Sequence, residues 1–507
     1  MALPPARPPA RSARRTFELL GLVAILSLAA YLRLANRAAN PGWYTDEGTH
    51  LDITRHLLQG QVQYLAINKS FLLFARLPPF ELLLAGVSGL SGGGIGTLRG
   101  LTGGLGVASV GMLYWLVRAA QQAEGQRDRL PLLAALLLAI YPQAVVYSRF
   151  GFSYNLLTPL LLLAGLGLFN YSNTGQRRWL ALAALAVGVG AVSDLWMMVL
   201  TPLVLLVILT RRWRDGLWAS PLLATPFGLY VAAMLLRAPA AFWFDLRYTL
   251  SRLSALPPTQ QLVTLAGNCA TLIAHDVWMA AAVPGLLTLR PARLRQVSLL
   301  LFGLPILILG RSVALYSLSF YYMIPLLPFV ALGVASLIRS GVGYIRRTLG
   351  SNAALLLGGV MAALLGASLA RTFTQVQTGF ETPIDIFLIN PDDARAVATF
   401  VNERAGANDV IIASPAVAWL LQANATDFQM AVAAAGQATV HLPAAIPADR
   451  FAFDPGLAHA RFVVVDNLWR NWGAVHMPEV AALMRAAERW PVAFQSGQIT
   501  VYRNPAR

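Results

Sequence analysis

The sequence contains a single cysteine, Cys269, and a single lysine, Lys69, among 507 residues. One cysteine excludes an internal disulfide and any zinc site built from cysteines. Charged residues of all kinds make up only 12% of the chain. No internal repeat is found. A chain with so little charge falls outside the range of an ordinary soluble domain.

Apolar residues take the place of the missing charge. They make up 57% of the chain, and the mean hydropathy is +0.58. The net charge of +16 would suit nucleic acid if the basic residues formed one dense tract with interleaved aromatic residues. Instead the arginines stand in small groups between apolar runs, which is the pattern of membrane topology. We therefore predict a polytopic α-helical membrane protein and expect no nucleic-acid partner.

Apolar runs long enough to cross a bilayer recur up to residue 370. A spanning helix needs roughly 20 apolar residues, somewhat fewer when its ends are anchored, and on that scale we predict about eleven spans. They are 17–36, 97–117, 130–148, 155–171, 179–193, 195–210, 217–236, 272–289, 296–310, 316–338 and 352–370. The first span follows a tail rich in Pro, Ala and Arg, and no small-residue cleavage site follows it. We interpret it as an uncleaved signal anchor.

The arginine groups give the orientation, because cytoplasmic loops hold the basic residues. With the N-terminal tail 1–16 in the cytoplasm, every inner loop is basic. These loops are 118–129, 173–178, 211–216, 290–295 and 339–351. The two large outer loops of the transmembrane domain (17–370) are then 37–96 and 238–271, and the segment 371–507 lies outside as well. We expect a multi-pass protein of the plasma (inner) membrane.

The segment 371–507 differs in character from the rest of the chain, with more polar residues and punctuating prolines. We predict helices over 391–404 and 479–489 and buried strands that begin at Asp409, Arg461 and Gln498. No glycine-rich phosphate loop occurs among these elements. The sequence therefore predicts a soluble extracytoplasmic α/β domain after the last span.

Two adjacent carboxylates, Asp46 and Glu47, stand where the chain leaves the membrane after the first span. Facing water, such a pair would be ordinary, but few other acids occupy the membrane part. A carboxylate at this level could act as general base on an acceptor hydroxyl, and nearby cations could stabilise a departing phosphate. The cations predicted on the outer face are Lys69, Arg76, Arg149, Arg237 and Arg311. Each of them singly also fits an interfacial side chain whose charge reaches water.

Several other residues leave two interpretations open. Asp194 lies between two apolar spans, so it is either a functional group or a carboxylate at the outer interface. Trp43 and Tyr44 suit both interface anchors and sugar-stacking residues. Asp46 and His50 could share a metal ion on a helix, but Gly48 argues against a helix here. No ligand cluster stands out, so no metal site is predicted and metal dependence stays open.

Four stretches in the order found here are familiar from known membrane enzymes. They are Tyr44-Thr-Asp46-Glu47, Leu77-Pro78-Pro79-Phe80 with Arg99 after it, Tyr147-Ser148-Arg149 through Tyr154-Asn155, and Phe320-Tyr321-Tyr322-Met-Ile-Pro325-Leu-Leu-Pro328. Together they resemble the C-type (GT-C) superfamily of membrane glycosyltransferases. The likeness is strongest to family 39 and its relatives, the protein O-mannosyltransferases and the aminoarabinose transferases. The resemblance covers about residues 17–370.

This resemblance implies an enzyme that moves a sugar from a polyprenyl-phosphate carrier to an acceptor on the outer side, with inversion at the anomeric carbon. Asp46 would be the catalytic base and Glu47 its neighbour in acceptor or metal contacts. Many relatives have Lys or His where this chain has Leu77, and a second Asp where it has Tyr154. A phosphate contact would then come from Lys69 or Arg76 or be absent. A second acid would be missing or supplied by Asp194 or Asp276.

The expected site has three groups of residues. The catalytic residues are Asp46 and Glu47. The phosphate-binding residues are Lys69, Arg76, Arg149 and Arg311. The substrate-binding residues are Trp43, Tyr44, His50, Tyr154, Asn155, Asp194, Tyr321 and Tyr322. The acceptor could be a lipid, a protein or a polysaccharide.

Two other functions remain open at this point. A lipid-linked sugar flippase or other transporter would have charge pairs deep within its spans and broken helices in matching halves. A non-catalytic membrane protein could use the outer domain for adhesion or assembly, and Asp46 would then be dispensable.

Overall fold

The computed structural model describes residues 11–70, 78–126, 128–252, 256–290, 292–311, 315 and 317–507. Up to residue 378 the described chain is almost entirely helical. Its helices are α1 (Arg11–Leu34), α2 (Thr45–Leu58), α3 (Pro78–Ser91), α4 (Ile95–Ala123), α5 (Leu130–Ile140), α6 (Pro142–Arg149), α7 (Tyr154–Thr174), α8 (Arg177–Ser193), α9 (Thr201–Arg211), α10 (Trp213–Arg237), α11 (Pro239–Arg252), α12 (Pro258–His275), α13 (Val277–Leu287), α14 (Ala292–Leu309), α15 (Leu327–Thr348) and α16 (Ser351–Thr378). Two 3-10 segments, Leu195–Leu200 and Ser317–Leu326, precede α9 and α15. A short hairpin of β1 (Gln63–Tyr64) and β2 (Ile67–Asn68) follows α2.

Among the described residues, seven helices are long and apolar enough to cross a membrane, or up to nine if each of two bent pairs is one span. The bent pairs are α5 with α6, at 55°, and α12 with α13, at 106°. The polytopic helical architecture is thus confirmed. The two other predicted spans, 179–193 and 195–210, coincide with α8 and with the 3-10 segment and α9, which are shorter.

Two span boundaries differ from the prediction. The predicted span 272–289 is interrupted at Asp276, whose carboxylate accepts a hydrogen bond from the backbone N–H of Trp278 and so starts α13 as its N-cap. Apolar α12 lies in what was predicted as the outer loop 238–271. The last predicted span, 352–370, is part of a longer helix, because α16 continues past residue 370 to Thr378. Apolar content alone did not reveal either feature.

The C-terminal segment (residues 379–507) contains one five-stranded sheet with order β4-β3-β5-β7-β6. Its elements are α17 (Pro391–Asn402), β3 (Val410–Ile412), α18 (Pro415–Ala418), β4 (Asn424–Thr426), α19 (Phe428–Ala434), β5 (Ala460–Val465), α20 (Ala474–His476), α21 (Pro478–Ala487), β6 (Val492–Ser496) and β7 (Ile499–Arg503), with a π-helical turn at Trp469–Gly473 and 3-10 turns at Asp385–Phe387, Ala448–Arg450 and Leu457–His459. β3 is parallel to β4 and β5, whereas β7 is antiparallel to β5 and β6. β3, β5 and β7 are the strands that the sequence predicts.

Two buried clusters organise the molecule. The larger one runs through the long helices, including α1, α4, α5, α7, α13 and α15. The second joins the first outer loop to the C-terminal segment, since it contains Trp43, Leu51 and Tyr64 together with Val397 and Val417. The C-terminal segment therefore shares a hydrophobic core with the loop that carries Asp46.

Candidate active site

Asp46 lies in the first turn of α2, and its side chain is partly exposed. The helix begins directly after Tyr44, whose backbone N–H donates to Glu47 Oε2 over 3.1 Å. Two acids in a first turn are favoured by the helix dipole, which is positive at this end. The expectation that Gly48 argues against a helix here is wrong, because residues 45–58 form one continuous helix.

Glu47 is buried and points away from solvent. Arg99 donates two hydrogen bonds to its carboxylate, from Nε to Oε1 and from Nη2 to Oε2, each 2.6 Å long. The backbone N–H of Gly151 donates to the same Oε1 over 2.8 Å. Arg99 also donates to the carbonyls of Pro41 and Gly42. A bidentate pair of this kind is geometrically specific, so Glu47 fixes the first turn of α2 against α4 and the turn after α6.

Arg149 is also buried, and its guanidinium is bonded to backbone carbonyls. It donates to Leu32 over 2.8 Å, to Ala35 over 2.7 Å and to Asn40 over 2.9 Å. Its guanidinium also stands over the ring of Phe380, 5.5 Å from the centroid. These bonds anchor the chain at the end of α1. A phosphate contact by Arg149 would have to replace some of them.

An aromatic cluster (Tyr44, Phe152, Tyr154, Tyr321 and Tyr322) adjoins the start of α2. Ring centroids are 5.6 Å apart for Tyr44 and Phe152, and 5.5 Å apart for Phe152 and Tyr321. Tyr154 lies 5.1 Å from Tyr321 and 5.3 Å from Tyr322. The structure thus brings four predicted substrate-binding tyrosines together. Phe152 was not predicted, although it lies between Arg149 and Tyr154 in one of the quoted stretches.

Trp43 and Asn155, also predicted to bind substrate, are buried. The Trp43 backbone exchanges two hydrogen bonds with Ile389, each 3.0 Å long. The Asn155 side-chain amide donates to the carbonyls of Tyr147, Phe150 and Phe152. Asn155 therefore shapes the turn that supports the aromatic cluster.

His50 is buried one turn after Asp46. Its Nδ1 lies 2.8 Å from Glu81 Oε1 on α3, and its ring packs edge-on against Phe80. His50 Nε2 and Glu81 Oε2 have no hydrogen-bond partner among the described residues. The pair joins α2 to α3 within the protein.

Lys69 lines a cavity of about 630 Å³ where the β1–β2 hairpin meets α11 and the C-terminal segment. Its Nζ lies 2.5 Å from Asp449 Oδ2. The neighbouring Arg450 forms a buried two-bond pair with Asp245 of α11, 2.7 and 3.1 Å long. The other polar lining residues are Gln61, Gln63, Asn68 and Arg237. Arg237 ends the long apolar helix α10, so the cavity lies beside the end of a candidate span.

Three further predicted residues lie elsewhere or outside the described chain. Arg311 is exposed just after α14, and its Nε donates to the carbonyl of Ile308. Asp194 ends α8, partly exposed, and its backbone carbonyl accepts from the N–H of Met197. Arg76 lies outside the described residues. The part of the chain that is described holds no group of three or more His, Cys, Asp or Glu side chains suited to a metal ion.

By sequence, no model of a known protein family and no curated protein matches this chain. Solved structures do match over most of its length. ArnT from Cupriavidus metallidurans bound to undecaprenyl phosphate superposes with a TM-score of 0.61 at 15% identity, over 98% of this chain and 99% of that chain. The archaeal oligosaccharyltransferase AglB from Archaeoglobus fulgidus, in complex with an inhibitory peptide and a dolichol-phosphate, superposes with a TM-score of 0.53 at 12% identity, over 97% and 75%. The resemblance inferred from the sequence is confirmed at the level of the fold: this chain has the GT-C fold of the C-type membrane glycosyltransferases.

Proposed function

We propose that the protein is a membrane glycosyltransferase that moves a sugar from a polyprenyl-phosphate carrier to an acceptor on the outer side, with inversion. The observation that carries this proposal is the placement of Asp46 within the GT-C fold. Asp46 is partly exposed on a helix turn that the Glu47–Arg99 pair holds in place. The same turn adjoins the aromatic cluster. This is how a fold holds a general base in place while leaving it accessible to substrate.

In the proposed reaction the acceptor hydroxyl oxygen attacks the anomeric carbon of the donor sugar. The Asp46 carboxylate takes the hydroxyl proton as the new C–O bond forms. The bond from the anomeric carbon to the phosphate oxygen breaks, and its electron pair leaves with the polyprenyl phosphate. A single displacement of this kind inverts the configuration at the anomeric carbon.

Glu47 takes a positioning role in this scheme rather than a chemical one. Its carboxylate oxygens accept hydrogen bonds from Arg99, Gly151 and the backbone of Tyr44. Substrate would have to displace these bonds to reach it. The aromatic cluster supplies ring faces and hydroxyl groups on which a sugar could pack, and we assign it the donor sugar.

For the carrier phosphate we propose the cavity lined by Lys69 and Arg237. The lipid tail would lie along α10, where Leu229 is 66% exposed and Leu236 is 89% exposed. Arginine and lysine both suit phosphate oxygens. The neighbours with bound undecaprenyl phosphate and dolichol-phosphate support this class of carrier. Arg76 and Arg311 remain candidate phosphate contacts, whereas the bonds of Arg149 favour an anchoring role.

We further propose the predicted topology: about eleven spans, the N terminus in the cytoplasm of a plasma (inner) membrane, and an extracytoplasmic C-terminal α/β domain. The arginine-rich loops support this orientation. Only an acceptor on the outer side would then reach Asp46.

The test uses the full-length protein reconstituted in bilayers with a panel of polyprenyl-phosphate sugars labelled in the sugar. We expect one label to leave its carrier, and the sugar to appear with inverted configuration on an acceptor from the native membrane. Transfer with retained configuration would contradict the single displacement. Intact binding of carriers without release of any label, even when native membranes supply the acceptor, would contradict the assignment as a transferase.

A further inference from the structure

The carboxyl ends of the parallel strands β3, β4 and β5 meet at one edge of the C-terminal sheet. Asp427 and Asp466 follow β4 and β5 directly, and Ser414 is the second residue after β3. The Ser414 hydroxyl is hydrogen-bonded to the buried Asp466 carboxylate. In open α/β sheets this is the edge at which ligands bind. Here α18, which starts at Pro415, packs on α2 instead.

The contact between α18 and α2 is a close approach of two backbones at Gly48. A Cβ placed on Gly48 would lie 1.8 Å from the carbonyl oxygen of Pro415 and 2.8 Å from the backbone nitrogen of Ala416. No side chain fits into that space, so only glycine allows the approach. Gly48 lies in the same helix turn as Asp46. The position of that turn therefore depends on the C-terminal segment as well as on Glu47 and Arg99.

The residues that lead into α2 are held by the same segment. Trp43 is paired with Ile389 through two backbone hydrogen bonds. Its ring lies under the guanidinium of Arg395, 5.0 Å from the centroid, and 5.5 Å from the ring of Trp419. At the other end of α2, Arg55 Nη1 donates to the carbonyl of Leu421 over 2.9 Å. The helix is thus held before its start, in its first turn and near its end.

We propose that the C-terminal segment acts as a positioning element for the reaction, and that Gly48 and Arg395 are positioning residues for Asp46. This inference rests on the proposed function. At the carboxyl edge of the sheet, α18 packs against α2, the helix that contains Asp46, in the place where related sheets bind a ligand. Neither residue touches the reacting atoms, and both act by fixing where the Asp46 carboxylate meets the acceptor hydroxyl.

The first test compares Gly48→Ala with Gly86→Ala. Both glycines lie inside helices, but a Cβ placed on Gly86 meets nothing within 4 Å. For Gly48→Ala we expect kcat to fall by about 10²-fold, because a base displaced by about 1 Å loses its reactive geometry. The donor KM should stay within about two-fold of the wild-type value, since the contacts that bind the donor are unchanged. Gly86→Ala should retain the wild-type kcat.

The second test is milder and remains informative if Gly48→Ala does not fold. Arg395→Ala removes the cation over Trp43, and Arg404→Ala removes a comparable cation over Phe400, 4.1 Å from that centroid. Both arginines are about half exposed and both pair with a neighbouring acid. An exposed cation–π contact is modest, so we expect Arg395→Ala to lower kcat by about two- to five-fold and Arg404→Ala to leave it unchanged. Arg395→Lys should restore part of the loss.

Hydrogen exchange of α2 provides a readout that does not depend on turnover. Residues 45–48 should exchange faster in Arg395→Ala than in Arg404→Ala. Equal exchange and equal kcat in these two variants would overturn the inference, as would a wild-type kcat in Gly48→Ala. Asp46→Asn separates this outcome from failure of the proposed function. If Asp46→Asn is inactive while the Gly48 and Arg395 variants match the wild type, only the positioning role is lost.

Discussion

Buried side chains next to Asp46, rather than its own partly exposed carboxylate, hold the first turn of α2 in place. Glu47 and Arg99 both lie out of contact with solvent, and each satisfies the charge of the other with two 2.6 Å bonds. Removing one partner of a buried pair leaves an uncompensated charge, which costs more than the pair itself contributes. The adjacency of two acids in the sequence suggested a shared chemical role. The structure separates them into one partly exposed and one buried carboxylate.

Replacing Glu47 by Gln should therefore destabilise the protein. Arg99 would keep a buried charge without its counter-ion, and we expect a loss of about 3–5 kcal/mol in the free energy of unfolding. Thermal unfolding in detergent measures the change. Glu403→Gln, which removes an exposed partner of Arg404, is the control and should change stability by about 0–1 kcal/mol. Equal shifts in the two variants would refute the anchoring role of Glu47.

Asp427 gives a prediction about pH. Burial raises the pKa of this carboxyl to about 6, against the bonds it accepts from the N–H groups of Met430 and Gln429. A pKa raised in the folded state adds stability below the unfolded value, and that stability is lost as pH rises through about 6. Asp427→Asn keeps the helix cap but does not ionise. Between pH 4 and pH 7.5, the free energy of unfolding of the variant should rise relative to that of the wild type by up to roughly 3 kcal/mol. This change would appear as a larger shift in Tm at the higher pH. A shift in Tm that does not depend on pH would contradict it.

At the scale of elements, α2 and the aromatic cluster show what the sequence could and could not reveal. Tyr154, Tyr321 and Tyr322 were identified through short motifs, and the structure brings them together although they come from α7 and from the segment before α15. Gly48 was misinterpreted, because the backbone that requires a glycine at this position belongs to Pro415, far along the chain. By local propensity, a glycine inside a helix only destabilises the helix. Local propensity cannot reveal that another backbone occupies the space of the missing side chain.

The aromatic cluster predicts an effect on donor binding. Tyr321→Ala removes a partly exposed ring that stacks on Tyr154, so we expect the donor KM to rise by about ten-fold, in line with the loss of one packed aromatic contact. Tyr321→Phe, which keeps the ring, should stay within about two-fold. Tyr344→Ala removes an exposed tyrosine on α15, outside the cluster, and serves as the control. A donor KM unaffected by Tyr321→Ala would remove the cluster from the sugar site.

For the whole molecule, composition and arginine placement were enough to predict a polytopic helical protein, and the GT-C fold agrees with that prediction. They could not predict the contacts between the helical part of the chain and the C-terminal segment. Arg450 with Asp245, and Trp43 with Ile389, are pairs of residues far apart in sequence that carry no local signal. Strands β4 and β6 were missed because β4, Asn424–Thr426, is not an apolar run like β3 and because β6 is mostly not buried.

The predicted orientation can be tested through the near-absence of cysteine. In a Cys269→Ala background, a cysteine at Ala407 of the C-terminal segment should react with a membrane-impermeant maleimide added outside intact cells. A cysteine at Arg178, in a predicted inner loop, should react only after the membrane is opened. The reverse pattern would place Asp46 on the cytoplasmic side and contradict an outer site.

The most direct measurement is the single-turnover rate of sugar transfer from the polyprenyl-phosphate donor by the protein in bilayers, compared between wild type and Asp46→Asn. Glu479→Gln is the matched control, since Glu479 is also an acid in the first turn of a helix. Loss of a general base predicts a rate lower by about 10²–10⁴-fold in Asp46→Asn, with wild-type thermal unfolding, and an unchanged rate in Glu479→Gln. A folded Asp46→Asn protein that transfers sugar at the wild-type rate would contradict the role of Asp46 as the catalytic base.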